Sequence, residues 1–120
     1  MRLKKSKFGE AKERKQDKEV SMTTIIVETN WPAEHSKKLA EVWLGMPEIP
    51  EQMNMLYVGT KGDGCCIRAM VIWQVEDSFL AGALNYITND VVRYYVVPGF
   101  GYTVSPWVDP ADSLKALGMG

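Results

Sequence analysis

The sequence predicts an α+β domain in which four strands and two helices follow one another as strand, helix, strand, strand, helix, strand. Short runs of β-branched and apolar residues alternate with two stretches that repeat apolar residues at helical spacing. A glycine-rich segment, residues 61–64, joins the second and third runs as a hairpin. The 120-residue chain, 46% hydrophobic and 24% charged, has the size and composition of one globular domain.

The third run, residues 64–75, predicts the central strand. Alternate side chains of a strand share a face, and one face here is wholly apolar, which requires burial. That face comprises Cys65, Ile67, Ala69, Val71, Trp73 and Val75. The other face is half apolar with Arg68 in its middle, so it fits neither an ordinary core nor an ordinary surface. We therefore expect the functional site on this mixed face.

The first strand and helix come before it. Residues 23–30 are rich in β-branched side chains and predict the first strand. Pro32 suits the first helical position, where its missing N–H costs nothing, and Gly45 and Pro47 end the helix. The apolar stripe of this helix comprises Leu39, Val42, Trp43 and Met46.

The remaining elements follow the same logic. Residues 53–60 predict the second strand, and helical spacing predicts the second helix over residues 78–95, with Asp77 as its N-cap. Residues 100–108 predict the last strand. A short C-terminal helix then begins with Asp109-Pro110 as cap and first turn, and Gly118 ends it.

Charge divides the chain into two parts. Residues 1–20 hold eight basic and four acidic residues, whereas the remainder holds six basic and eleven acidic ones. A basic arm is typical of contact with nucleic acid or an anionic membrane, of a solvated disordered extension, or of upstream sequence if translation begins at Met22. We expect a disordered basic tail over residues 1–21, whose start is not necessarily native, and one domain over residues 22–120. Because the domain is acidic, nucleic acid is not an expected partner.

The sequence also bears on compartment and metal chemistry. No apolar run approaches the roughly 20 residues of a membrane span, and the N-terminus lacks the apolar block of a signal peptide. We expect a cytoplasmic protein without a membrane contact, cofactor or metal. Cys65 and Cys66 would point to opposite faces of one strand, which suits neither a disulfide nor a chelating pair, so reduced, buried thiols are predicted.

Right-handed crossovers give this order of elements a four-stranded antiparallel sheet in the order 4-1-3-2, with both helices on one face. This arrangement resembles the ferredoxin-like fold. Four segments are similar to small uncharacterised bacterial and archaeal proteins of the dimeric α+β-barrel superfamily. They are Trp31-Pro32, the connector GMPEIP (45–50), the link PGFGY (98–102) and the segment DPADSL (109–114).

The resemblance implies a homodimer that pairs the open sheet faces around a cleft. Known activities of that superfamily include cofactor-independent monooxygenation, haem breakdown, lactone isomerisation and ligand sensing. The fold alone assigns none of them to this chain.

The predicted site comprises Glu28, Arg68, Ser105 and Trp107 on the mixed face, with His35 as a further candidate. Glu28 is expected to meet Arg68, either as a structural salt bridge or as a ligand site. In a ligand site the arginine would bind an anionic or enolic group, and the carboxylate would orient it or move a proton. His35, the only histidine, falls in the first helical turn, where the dipole disfavours a charged imidazole.

Two functions are compatible with these residues. The first is a small homodimeric, non-catalytic ligand-binding or regulatory module, with a cleft on the open sheet face for a small anionic or aromatic ligand. The alternative is a small cofactor-independent enzyme of the monooxygenase or isomerase type. The sequence identifies no catalytic residue for it, so whether the protein is an enzyme stays open.

Overall fold

The computed structural model describes residues 20–119, and its secondary structure confirms the α+β class. Short 3-10 turns precede and follow the main helices. The strands and helices are β1 (Met22–Pro32), α1 (Ser36–Leu44), β2 (Met53–Asp63), β3 (Cys66–Glu76), α2 (Leu80–Val92), β4 (Gly101–Trp107) and α3 (Pro110–Ala116).

The four strands form one antiparallel sheet in the order β2-β3-β1-β4. This is the predicted order 4-1-3-2 counted from the other edge, so the prediction is confirmed. The two central strands, β1 and β3, pair along their whole length, from Met22 opposite Glu76 to Pro32 opposite Cys66.

The core lies between the sheet and α2. The apolar faces of the two central strands contribute Ile25, Val27, Trp73 and Val75, and α2 contributes Ala83, Ile87 and Val91. Helix α1 has no buried residue, although Trp43 packs partly against the same core. The two helices therefore cover one face of the sheet unequally, and a pocket remains between α1 and the sheet.

Two predicted boundaries are wrong. Pro32 does not begin a helix, because its ψ of 136° is extended and β1 continues through Trp31, which is buried opposite Ile67. The hairpin loop is not residues 61–64, because Asp63 pairs with Cys66 and only Gly64 and Cys65 remain between the strands. Gly64 has the positive φ, 62°, that such a two-residue loop requires at its first position.

The C-terminal helix begins and ends where the sequence predicts. The Asp109 side chain accepts a hydrogen bond from the Ala111 N–H at 2.8 Å, and Pro110 is the first residue of the helix. Gly118 ends it with a φ of 76°, and the Met119 N–H donates to the Leu114 carbonyl at 2.8 Å. These contacts are those of a capped helix with a Schellman end.

The predicted tail lies outside the described residues, except for Val20 and Ser21. The Ser21 carbonyl accepts a hydrogen bond from the Asp77 N–H at 3.0 Å. Asp77 does not cap α2 as expected; its carboxylate accepts a hydrogen bond from the Thr23 hydroxyl at 2.5 Å. Among residues 20–119, no helix is long and apolar enough to cross a membrane.

Candidate functional site

The predicted site residues on the strands share one face of the sheet but do not form one cluster. Glu28, Arg68, Ser105 and Trp107 all point away from the helices, as the pairing register requires. Arg68 lies opposite Asn30, whereas Ser105 lies opposite Ile26. Four residues along β1 correspond to about 13 Å, so Ser105 and, still farther, Trp107 lie apart from Arg68.

Arg68 pairs with Asp63 and not with Glu28. Its Nε lies 2.5 Å from Asp63 Oδ2, and both side chains are about half exposed, 52% and 48%. Glu28 faces Met70, one diagonal step from Arg68, and acts on the Arg68 pKa only as a minor electrostatic contribution. The expected Glu28–Arg68 salt bridge is therefore wrong, because the strand continues to Asp63 and brings a closer carboxylate.

The ion pair between Arg68 and Asp63 shifts the pKa of both groups. Its hydrogen bond and charge attraction raise the pKa of Arg68 and lower that of Asp63. The pair lines a shallow depression of about 470 Å³ on the open sheet face. The side chains that line this open-face depression include Glu28, Tyr57, Lys61, Asp63, Arg68 and Met70.

His35 lies in the 3-10 turn before α1. Its Nε2 is 3.7 Å from the carboxylate of the neighbouring Glu34, which is largely exposed. His35 is not among the residues that line the open-face depression or the larger pocket described next.

The larger pocket, about 550 Å³, lies on the opposite side of the sheet, beneath α1. We call it the α1 pocket. Its floor includes Val27, Ala69 and Val71 of the central strands, and its roof includes Leu39 and Trp43 of α1. The aromatic side chains that line it are Trp31, Trp43, Trp73, Tyr94 and Phe100.

Helix α1 is held at its ends. At its start, the Trp31 indole N–H donates to the Ser36 hydroxyl at 3.0 Å. At its end, the Arg93 guanidinium donates to the Val42 carbonyl at 2.8 Å. Beyond the end, the Tyr86 hydroxyl donates to the Pro47 carbonyl at 2.7 Å. These contacts fix both ends of α1 while its middle covers the pocket.

Few polar side chains enter the α1 pocket. Asp90 lines it, and its carboxylate is hydrogen bonded and ion-paired to Arg93. Tyr94 lines it as well, and burial raises its pKa to about 12, with the Asp90 charge acting in the same direction. Tyr94 therefore keeps its proton at neutral pH, and its ring stacks on Phe100 with centroids 5.1 Å apart.

Helical spacing and strand alternation do not predict this pocket, because they assign Trp43 and Trp73 to the core. The two patterns correctly predict which face Trp43 and Trp73 occupy. They do not predict how closely the helix packs on the sheet. The sequence signal for an aromatic pocket is the Tyr94-Tyr95 pair at the end of the second predicted helix, and Tyr94 does line the α1 pocket.

No group of three or more His, Cys, Asp or Glu side chains among residues 20–119 is arranged to hold a metal ion. The chain matches no known family model, and no curated protein is significantly similar to it.

Proposed function

We propose that the protein binds a small, mainly apolar ligand with an aromatic ring in the α1 pocket, as a non-catalytic binding or regulatory module. The observation that carries this proposal is the pocket itself, about 550 Å³ with five aromatic side chains in its lining. Ligand pockets in proteins are typically concave, mostly apolar and about 300–1,000 Å³ in volume. Aromatic faces there would stack on a ring of the ligand.

The polar groups support binding over catalysis. A general base must be free to accept a proton in the reacting position, whereas the Asp90 carboxylate is engaged by Arg93. The Tyr94 hydroxyl, with its pKa near 12, is suited to donate a hydrogen bond. Ser36 and Thr29 also line the pocket. Such isolated polar groups orient a ligand and set its specificity.

We further propose that two copies of the chain associate through their open sheet faces, in the manner of the dimeric α+β barrels of ferredoxin-like fold. The strand order and the βαββαβ succession of elements support this resemblance. Half-buried Ile26, Met70 and Ile72 continue across the face to the exposed rings of Tyr57 and Trp107. An apolar surface of this kind is typical of an interface.

The open-face depression is a second candidate site, for an anionic group. Lys61 lies directly opposite Arg68 in the strand register, so a second cationic side chain lies beside the Arg68–Asp63 pair. In the proposed dimer this depression would border the cleft between the two sheets. Arg68 and Glu28 are the residues of the predicted site that would line it.

Titration with 2-naphthol, followed by the fluorescence of the pocket tryptophans, tests the α1 pocket. Ala69→Phe should fill the pocket from its floor and weaken binding at least about ten-fold, because the ring would occupy the space of the ligand. Met70→Phe is the matched control, since Met70 is the next residue on β3 and faces the other side of the sheet. It should leave binding unchanged.

Circular dichroism would first show that both variants fold. Equal binding by wild type and Ala69→Phe, or loss of binding in Met70→Phe alone, would contradict the proposed pocket. Native mass spectrometry of freshly purified protein would identify a retained ligand and count the subunits.

A further inference from the structure

The tip of the β2–β3 hairpin carries two neighbouring thiols in near contact. Cys65 is exposed in the two-residue loop, and Cys66 is the first residue of β3. Their Sγ atoms lie 2.6 Å apart, against about 2.0 Å for a formed disulfide bond. Both the burial and the opposite orientation predicted for these thiols are therefore wrong.

The hairpin geometry explains the approach of the two sulfurs. Within a regular strand, consecutive side chains point to opposite faces. Because Asp63 pairs with Cys66, Cys65 belongs to the loop and is released from that alternation. The positive φ of Gly64 turns the chain immediately before Cys65.

We propose that Cys65 and Cys66 are a redox-active dithiol that closes reversibly to a vicinal disulfide by exchange with a low-molecular-weight disulfide such as oxidised glutathione. Neighbouring Cα atoms are about 3.8 Å apart, whereas disulfides usually join Cα atoms about 4.4–6.8 Å apart. The closed ring is therefore strained. Strained, exposed disulfides are readily reduced, and labile or regulatory disulfides are of this kind.

Exchange proceeds in two steps. The Cys65 thiolate attacks one sulfur of oxidised glutathione, whose S–S bond breaks, and the first glutathione leaves as a thiolate that takes up a proton. Cys66 then loses its proton, attacks the Cys65 sulfur and displaces the second glutathione. The two cysteines lose two electrons in total, and glutathione disulfide is reduced to two thiols.

The environment of the thiols favours this order of attack. Cys65 is the more exposed of the two residues. The hydrogen bond with Cys65 raises the pKa of Cys66, which makes Cys66 the poorer first nucleophile. Once Cys65 is in the mixed disulfide, its sulfur can no longer raise the pKa of Cys66 by carrying a negative charge, and Cys66 becomes the resolving thiol.

The dithiol adjoins the Asp63–Arg68 pair. Asp63 is the register partner of Cys66, and the charges of Asp63 and Arg68 both act on the Cys66 thiol. Closing the ring changes the end of the same hairpin that holds this pair. The dithiol therefore lies beside the open-face depression, whose lining includes Asp63 and Arg68.

The test equilibrates the reduced full-length chain with mixtures of reduced and oxidised glutathione, blocks free thiols with N-ethylmaleimide and measures the intact mass. In oxidising mixtures we expect a monomeric chain two hydrogens lighter that takes up no blocking reagent. Excess reduced glutathione should restore two reactive thiols. Cys66→Ser should instead accumulate one glutathione adduct, since no resolving thiol remains.

A second measurement uses phenylarsine oxide, which bridges two close thiols. The reduced wild type should retain one arsenic per chain after desalting, and Cys65→Ser and Cys66→Ser should retain none. A wild-type chain that keeps glutathione adducts, forms a disulfide-linked dimer, retains both thiols in oxidising mixtures or stays closed in excess reduced glutathione would overturn the proposal.

Discussion

Arg68 shows how far an individual residue depends on its neighbours. Its position on the mixed face of the central strand follows from alternation, but its partner depends on where β2 ends. Because β2 continues to Asp63, the guanidinium meets a carboxylate near the hairpin tip and stays half exposed. Its pairing is therefore that of a surface ion pair, which is screened by water and contributes little to folding.

Asp63→Asn should consequently lower the melting temperature slightly at pH 7, and Glu28→Gln should lower it less. The pair depresses the pKa of Asp63 below 3.8, so its stabilising effect is present above that pH and is lost as the pH falls through the lowered pKa. Thermal unfolding of the wild type and both variants at pH 7 and in strong acid measures the effect of each substitution and its loss at low pH. If Glu28→Gln lowered the melting temperature more than Asp63→Asn, Glu28 and not Asp63 would be the main partner of Arg68.

Two tyrosines, the buried Tyr94 and the partly buried Tyr86, should make stability fall in alkali. Burial raises the pKa of Tyr86 and of Tyr94 to about 12, so the folded chain holds these protons more tightly than the unfolded chain. The resulting stabilisation is complete below pH 10 and is lost as the pH rises towards 12. Tyr94→Phe should weaken this dependence. Full tyrosinate absorbance by about pH 11 with a native circular dichroism spectrum would contradict it.

At the scale of elements, α1 differs from α2 in the way it is held. Helix α2 buries three side chains in the core, whereas α1 buries none. Burial of a full apolar side chain contributes about 1.5–3 kcal/mol, so α1 depends more on the polar contacts at its ends. Arg93 is the principal one, because it joins the Val42 carbonyl to Asp90.

Arg93→Met should therefore loosen α1 selectively. A hydrogen bond from a charged donor contributes about 1.5–3 kcal/mol, so amide exchange in Ser36–Leu44 should accelerate roughly ten-fold or more while the buried part of α2 changes little. Asp90→Asn is the matched control, since it removes the ion pair but leaves Arg93 able to donate to Val42. Uniform acceleration across both helices would show that Arg93 supports the whole fold.

At the scale of the whole molecule, the unequal helix layer and the bare sheet face lead to two different surfaces. One side of the sheet carries the core and the α1 pocket. The other carries an apolar row in which Ile72 lies between Tyr57 and Ile26. This row is the centre of the interface that we propose.

Ile72→Asp should convert the proposed dimer into a monomer, because it would bury a carboxylate without a partner at the interface. Thr88→Asp, on the exposed side of α2, should leave the dimer intact. Light scattering measures the molar mass of the wild type and of both variants. It is performed at tens of micromolar, a working range for interfaces of about 800 Å² per partner. A monomeric wild type in this range would contradict the dimer.

The amino-acid sequence is sufficient to predict the order of elements, the sheet order and the two faces of each strand. These features follow from local rules: side chains alternate along β3, helical spacing identifies α2, and Asp109 and Gly118 cap α3. The same rules placed Glu28 and Arg68 on one face. The faces and the elements depend on residues close together in the chain, and the sheet order follows from the right-handed crossover rule, so all can be inferred without coordinates.

Three features become evident only in the folded chain: the partner of Arg68, the α1 pocket and the near contact of the two thiols. The partner of Arg68 and the contact between the thiols depend on the hairpin closing at Gly64–Cys65. This closure is fixed by the register of β2 against β3. The pocket depends on contacts between distant segments, such as Arg93 with Val42, 51 residues apart. Local periodicity constrains which face a side chain occupies, but the distance between a helix and the sheet is set by such long-range contacts.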